Sequence, residues 1–311
     1  MTASAGKVLV FGAAGHIGGP LARYLRYKGW GDRLRLATSS PARLDQLKAA
    51  FPGSEAIVAD YLAPASLAAA CRDAEYIFVI TPDFIDELAA MDNLVQAARR
   101  TPELRQILRI IGDPPHMSLK KVPKIVRDFG RGTAIQHLQA REVLEQSDLP
   151  ITYLNIASYL MDDFIRWNST IKSDRALAMP FERRTTWIDP GDLGEAAAGI
   201  IMEEGDRHLH QLYHLNNGSD HLFFSEIAEM ISDVLQERIV HNDAVAFWEQ
   251  HMGQRYVKLF GVGAGEYFKA YYEFEQTYQF AFHRSDILER LLGRKPKTLR
   301  AWVEQNAHLL T

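Results

Sequence analysis

The sequence predicts a doubly wound parallel α/β sheet with a smaller mixed α/β lobe after it. Three observations carry this. A short apolar run at residues 7–11 ends in three glycines, Gly12, Gly15 and Gly18, and a helical pattern follows from Pro20. Strand-like and helix-like segments then alternate to about residue 155, the order that builds a parallel sheet with helices on both faces. Beyond Asn155 the alternation loosens, and residues 244–282 are rich in Trp, Tyr and Phe.

The elements follow in order. Residues 7–11 are the first strand, and 20–28 a helix closed by Gly29. Residues 34–38 are the second strand, followed by a helix at 41–50 that ends near Pro52-Gly53. The third strand is 55–59, and the helix at 64–70 has Pro64 at its start. The fourth strand, 76–80, precedes a long amphipathic helix at 85–100. The fifth strand is 106–111, the next helix 134–147, and the sixth strand 151–154. In the second half, 187–189 reads as a short strand leading into a helix at 190–202, and 211–215 as another strand. A helix at 225–235 has Ser225 as its N-cap. The expected division is a nucleotide-binding domain at 1–155 and a substrate lobe at 156–311, with a strand and helix around 186–215 returning to the main sheet.

Composition narrows the function. The 311 residues are 47% hydrophobic and 24% charged, ordinary globular values, and the net charge of −4 gives no basic face for nucleic acid. The single cysteine, Cys71, excludes an intrachain disulfide and a cysteine-based zinc site, and reads as a buried inert thiol. The histidines, among them His208, His210 and His214, show no metal-ligand spacing. No apolar run approaches the roughly 20 residues that span a bilayer, and no signal segment precedes Lys7. The expectation is a cytoplasmic protein, monomer or homodimer, acting on a small molecule, with no membrane or nucleic-acid partner.

The loop Gly12-Ala13-Ala14-Gly15-His16-Ile17-Gly18 is the strongest functional signal. A glycine turn between strand and helix lets backbone approach a pyrophosphate and aims the N–H groups of a helix N-terminus at it. The end of the second strand distinguishes the two nicotinamide cofactors. NAD-specific sites place an acid there, on the ribose 2′-hydroxyl. Here Thr38, Ser39, Ser40 and Arg43 stand instead, so NADP is preferred and NAD remains possible. Arg43 is either the partner of a 2′-phosphate or a solvated helix charge. Asp60 is placed to accept from an adenine amino group with Tyr61 or Leu62 beside the ring, or it caps the next turn. Thr81 and Pro82 follow the fourth strand, where adenosine or nicotinamide ribose should lie.

These pieces, together with 76–82 followed by Asn93-Leu94-Val95, 137–152, 188–193 and Gly293-Arg294-Lys295-Pro296-Lys297-Thr298-Leu299, make the chain resemble the NmrA-like branch of the atypical short-chain dehydrogenase/reductases. The resemblance spans nearly the whole chain. It implies an N-terminal Rossmann domain binding NAD(P), usually NADPH, and a variable C-terminal lobe. Family members include reductases of aromatic and quinone-like compounds and cofactor-binding redox sensors without known turnover.

The chain departs from that superfamily's chemistry. A Tyr-x-x-x-Lys pair is absent, since no tyrosine occurs between Tyr76 and Tyr153. By resemblance, the catalytic lysine of some reductases corresponds to His137 here, which becomes the candidate general acid. Arg141 lies one turn later, to depress its pKa, to bind an anion, or as a solvated charge. After the fifth strand, Gly112 borders the cofactor, and Asp113 and His116 face the substrate or only stiffen a Pro-Pro loop. Asn155 replaces the branch's Arg-Pro, and Ser158 and Tyr159 border nicotinamide and substrate or pack. Tyr267 and Tyr271 crowd a helix that covers a flat substrate or reads as core, with Gly261, Gly263 and Gly265 as a hinge before it. The resulting expectation is an NADPH-dependent reductase of a carbonyl, imine or conjugated double bond. The rivals are a silent redox sensor and an NAD(P)-containing isomerase or dehydratase.

Overall fold

The computed structural model describes residues 6–203, 205–278 and 283–311. Their strands are β1 (Lys7–Val10), β2 (Leu34–Thr38), β3 (Glu55–Val58), β4 (Ala74–Val79), β5 (Gln106–Ile111), β6 (Ile151–Asn155), β7 (Tyr159–Leu160), β8 (Ala176–Ala178), β9 (Arg184–Ile188), β10 (Leu212–His214), β11 (His221–Phe223) and β12 (Val240–Asn242). The helices are α1 (Gly18–Tyr27), α2 (Leu44–Ala50), α3 (Pro64–Cys71), α4 (Glu87–Ala98), α5 (Lys124–Asp128), α6 (Thr133–Glu145), α7 (Phe164–Asp174), α8 (Pro190–Met202), α9 (Phe224–Leu235), α10 (Val245–Trp248), α11 (Gln254–Phe260), α12 (Ala264–Tyr278), α13 (Ile287–Leu292) and α14 (Leu299–Gln305).

The chain forms two units. The first comprises residues 1–112, 136–155 and 190–214. Its seven strands lie in the order β10-β6-β5-β4-β1-β2-β3, and every pairing is parallel. Strand order reverses between β1 and β4, the switch point beside which open α/β sheets bind ligands. Strands buried on both faces read as continuous apolar runs. β5 fits this, with all six of its residues buried, although Arg109 lies among them. The core joins Leu9, Ile77, Val79 and Ile107 of the sheet to Leu67, Met91 and Leu94 of the covering helices.

The second unit comprises residues 113–135, 156–189 and 215–311. Its sheets are small: β11-β9-β7, with β11 antiparallel to β9, and a parallel pair β12-β8. The strands are short because this core is held by rings. Phe164 stacks on Trp187 at 5.1 Å, and Trp167, Phe224 and Trp302 close around them. Residues 113–135 belong to this unit and 190–214 to the first, so the chain crosses between the units more than once.

Element ends also differ in detail. β9 begins at Arg184 and not near 187. α9 begins one residue before Ser225, so Ser225 is not its N-cap; the Glu226 carboxylate accepts the Phe223 N–H at 2.7 Å, and Ser225 bonds Glu182. Gly265 lies inside α12, while Gly261 and Gly263 precede it with φ of +93° and +89°. The aromatic run expected over 244–282 extends past Tyr278 into residues outside those described. Among the described residues no helix is long and apolar enough to cross a membrane.

Candidate cofactor site

The site is built at the carboxyl edge of β1. Gly12 turns the chain with φ +66°, a conformation that β-carbon-bearing residues rarely adopt, and its carbonyl accepts the Gly15 N–H at 2.8 Å. Ala13 and Ile17 are buried and fix the loop inward, which leaves Gly12, Ala14, Gly15 and His16 exposed. Gly18 opens α1 against this turn; a β-carbon on it would lie 2.5 Å from the Phe11 carbonyl oxygen. No side chain caps α1, and no acid stands in its first turn. The helix therefore offers its positive end to an anion and holds no competing carboxylate. A pyrophosphate fits this cradle.

The edge beyond β2 fits a phosphate as well. Thr38 Oγ1 accepts the Ser40 N–H at 3.2 Å and shapes the bend, with Ser39 exposed beside it. Arg43 is exposed, and its side chain makes no ion pair among the described residues. Past β3, Asp60 Oδ1 accepts the Leu62 N–H at 2.9 Å, the turn-capping role. Tyr61 does not line an adenine site. Its ring stacks on Phe11 at 4.4 Å, only 5% of it is exposed, and its hydroxyl donates to the Ile80 carbonyl. Leu62 is the exposed neighbour.

Thr81 and Pro82 are likewise engaged within the protein. Thr81 Oγ1 donates to Glu87 at 2.8 Å and accepts from Arg109 at 3.0 Å and Gln136 at 2.9 Å. Its one proton and both lone pairs are thus in use, which leaves nothing for a ribose. The Pro82 carbonyl accepts from Gln136. Arg109 and Glu87 form an ion pair at 2.7 Å with both side chains wholly buried. Asn155 is buried too, its Nδ2 against His214 Nδ1 at 2.9 Å across β6 and β10.

His137 is placed at the end of β5, where its Nδ1 accepts the Gly112 N–H at 2.8 Å. A nitrogen that accepts carries no proton, so the imidazole is neutral with its hydrogen on Nε2. Burial, aided by the Arg109 charge, lowers its pKa to about 3. In this arrangement the ring is a neutral imidazole whose Nε2–H is a hydrogen-bond donor. Arg141 is not the cause, because it pairs with Glu145 on its own helix.

The remaining candidates fall in the second unit. Asp113 is buried, while His116 is exposed with φ +61°. Ser158 Oγ meets Thr186 Oγ1 at 2.9 Å. Tyr159 is held inside the aromatic core, where its hydroxyl donates to Glu275 at 2.5 Å and accepts from Arg183. Tyr267 is 1% exposed and accepts the Ala134 N–H, with Tyr271 stacked on it at 6.1 Å. Cys71 is buried and its thiol is pushed up to about 12. His208 is clasped by Glu203 and Tyr213, and the described residues contain no metal-binding cluster of His, Cys, Asp and Glu.

Sequence reasoning missed both buried ion pairs, Arg109–Glu87 and Arg183–Glu275. For Arg109 the available signal was an arginine inside the apolar run Ile107–Ile111, which needs a buried acid.

Known structures share this fold at low sequence identity. A nucleoside-diphosphate-sugar epimerase from Staphylococcus aureus aligns with TM-score 0.77 and 16% identity, covering 96% of this chain and 99% of its own. A triphenylmethane reductase from Citrobacter sp., in complex with NADP(H), aligns with TM-score 0.76 and 21% identity over 96% and 99%. NmrA, a negative transcriptional regulator in complex with NADP, aligns with TM-score 0.68 and 15% identity over 97% and 95%. No curated protein matches the chain by sequence. The NmrA-like family model matches residues 4–279, and the chain belongs to that family.

Proposed function

We propose that this chain binds NADPH on the Gly12–Gly18 cradle and reduces a small conjugated or aromatic molecule. The observation that carries the reading is the uncapped, acid-free N-terminus of α1 behind an exposed glycine turn at the sheet's switch point. In this reading the loop amides bind the pyrophosphate. Ser39, Ser40 and Arg43 meet the 2′-phosphate, which no acid there repels. Asp60 and Leu62 border the adenine, and Gly112 borders the nicotinamide. The reduced nicotinamide, when bound, supplies hydride. His137 contributes a hydrogen bond from Nε2 to the substrate's oxygen or nitrogen, and solvent supplies the proton that completes the product. A reductase and a regulator, each with NADP, share the fold and support cofactor binding without choosing between the two.

A second reading, a cofactor-sensing regulator, is favoured by one observation: the residue at the proton-donor position is a neutral histidine. Fluorescence titration with NADPH and NADH, followed by NADPH consumption across quinones, enones, imines and cationic dyes, separates the readings. A reductase binds NADPH at least about tenfold tighter than NADH and consumes it with one acceptor class. Tight binding with no consumption across the panel selects the regulator, and no binding of either nucleotide rejects both.

A further inference from the structure

We propose that Thr81, Glu87, Arg109 and Gln136 form the positioning device of this site, seating His137 so that its Nε2–H edge is the one offered to substrate. The role of that edge rests on the reductase reading above; the seating does not. Four elements meet in one hydrogen-bonded net. Arg109 on β5 donates to Glu87 at the start of α4 and to Thr81 after β4. Gln136 on α6 donates to Thr81 and to the Pro82 carbonyl, and its own oxygen accepts the Phe84 N–H at 3.1 Å. Gln136 precedes His137, so the net fixes the first turn of α6 against the loop that follows β4. The Gly112 amide, at the end of the strand that bears Arg109, then fixes the ring itself.

Stability does not explain such a net. A buried ion pair is often replaced by apolar side chains at no loss. Geometry explains it better. Two of the five donors of Arg109 belong to Nη2, which makes the bonds to Glu87 and Thr81; its buried Nε and Nη1 make none among the described residues. Positive charge therefore stays close to His137 and opposes a second proton on the ring. The charged group that acts on the imidazole is Arg109 from β5, with Glu87 from α4 as its counter-ion; Arg141 on α6 is paired with Glu145. His137 Nε2 has no partner among the described residues. With NADPH bound, which would supply a hydride and its two electrons, this N–H would meet the charge left on the oxygen or nitrogen beside the reduced carbon; the imidazole would stay neutral throughout, and water would protonate the product.

Nitrogen NMR of the full chain labelled on histidine, assigned with His137→Gln, reads the seating without turnover. The expected result is a neutral Nε2–H tautomer for His137 from about pH 5 to 8. An imidazolium in that range, or an Nδ1–H tautomer, overturns the proposal. Gln136→Leu cuts α6 from the net and leaves the Arg109–Glu87 pair in place. It should lower kcat about tenfold or more, leave NADPH affinity within about twofold, and disperse the His137 signals; unchanged kcat with an unchanged tautomer overturns the positioning role. If wild-type protein consumes no NADPH with any acceptor, the reductase reading falls together with the substrate contact of Nε2–H, and the NMR result alone decides the seating.

Discussion

His137 ties the stability of the first unit to pH. Its pKa of about 3 in the folded protein lies below the ordinary value near 6.5, because the half-buried ring, desolvated beside Arg109, resists charge. Above that ordinary value both folded and unfolded chains hold the ring neutral, and no difference arises. As pH falls below it, the unfolded chain takes up a proton that the folded one refuses, so stability is lost progressively toward about pH 3. Glu87 acts in the opposite sense, because burial raises its pKa and folded protein gains that proton first. Between about pH 6 and 4.5 the histidine should contribute a slope of up to about 1.4 kcal/mol per pH unit. Urea unfolding of wild type and His137→Gln across that range checks this, because the difference between their slopes removes the other histidines; equal slopes would show that His137 is protonated in the folded protein. The residue type at 137 was legible in the sequence, but its charge state was not. That state depends on the Gly112 amide and the Arg109 charge, which reach it through the fold and not through sequence proximity. Tyr61 and Thr81 show the same limit. Their places after β3 and β4 were readable, yet a strand end does not say whether a side chain turns toward a ligand or, as these do, toward Phe11 and Glu87.

The first six strands were readable because each is a short apolar run bounded by Gly, Pro or a polar helix, and because a sheet buried on both faces needs no alternation. β7, β8, β11 and β12 were not, since two or three residues carry no period. The helix at 190 was readable from its composition, but its contact was not. α8 is buried nearly all round, and a β-carbon at Gly194 would lie 2.6 Å from the Leu21 nitrogen and 2.7 Å from the Pro20 carbonyl carbon. Both atoms are backbone of α1, the helix whose N-terminus makes the cradle, so neither can move without moving the site. Gly194→Ala should therefore destabilise the protein by about 1–3 kcal/mol, the usual result of overpacking, and weaken NADPH binding, whereas substitution of the exposed Gly29 by Asn should do neither to that extent. Chemical denaturation and nucleotide titration of the two variants check this. A Gly194→Ala protein as stable as wild type would mean that α8 does not sit on α1 this closely.

At the scale of the molecule, the chain passes between its two units after residues 112, 135, 155, 189 and 214. The crossing near 155 and the return of a strand and helix around 186–215 were legible in the sequence, but the excursion of 113–135 was not. The consequence is physical. A fragment of residues 1–155 holds the glycine cradle and six strands, yet it lacks β10, which pairs in parallel with β6, and α8, which packs on α1. It also carries residues 113–135 without their own core, leaving Val122 and Val126 with apolar surface to hide. An unpaired edge on β6, an uncovered face on α1 and a stranded segment all favour association over folding. Residues 1–155 expressed alone should therefore show exposed apolar surface by dye binding, no cooperative unfolding transition and no saturable NADPH binding, while the full chain shows the last two. A cooperative, NADPH-binding fragment would instead make the return of 190–214 an ornament on a self-sufficient domain. The cradle would then owe nothing to α8, and the effect expected for Gly194→Ala on nucleotide binding would fail with it.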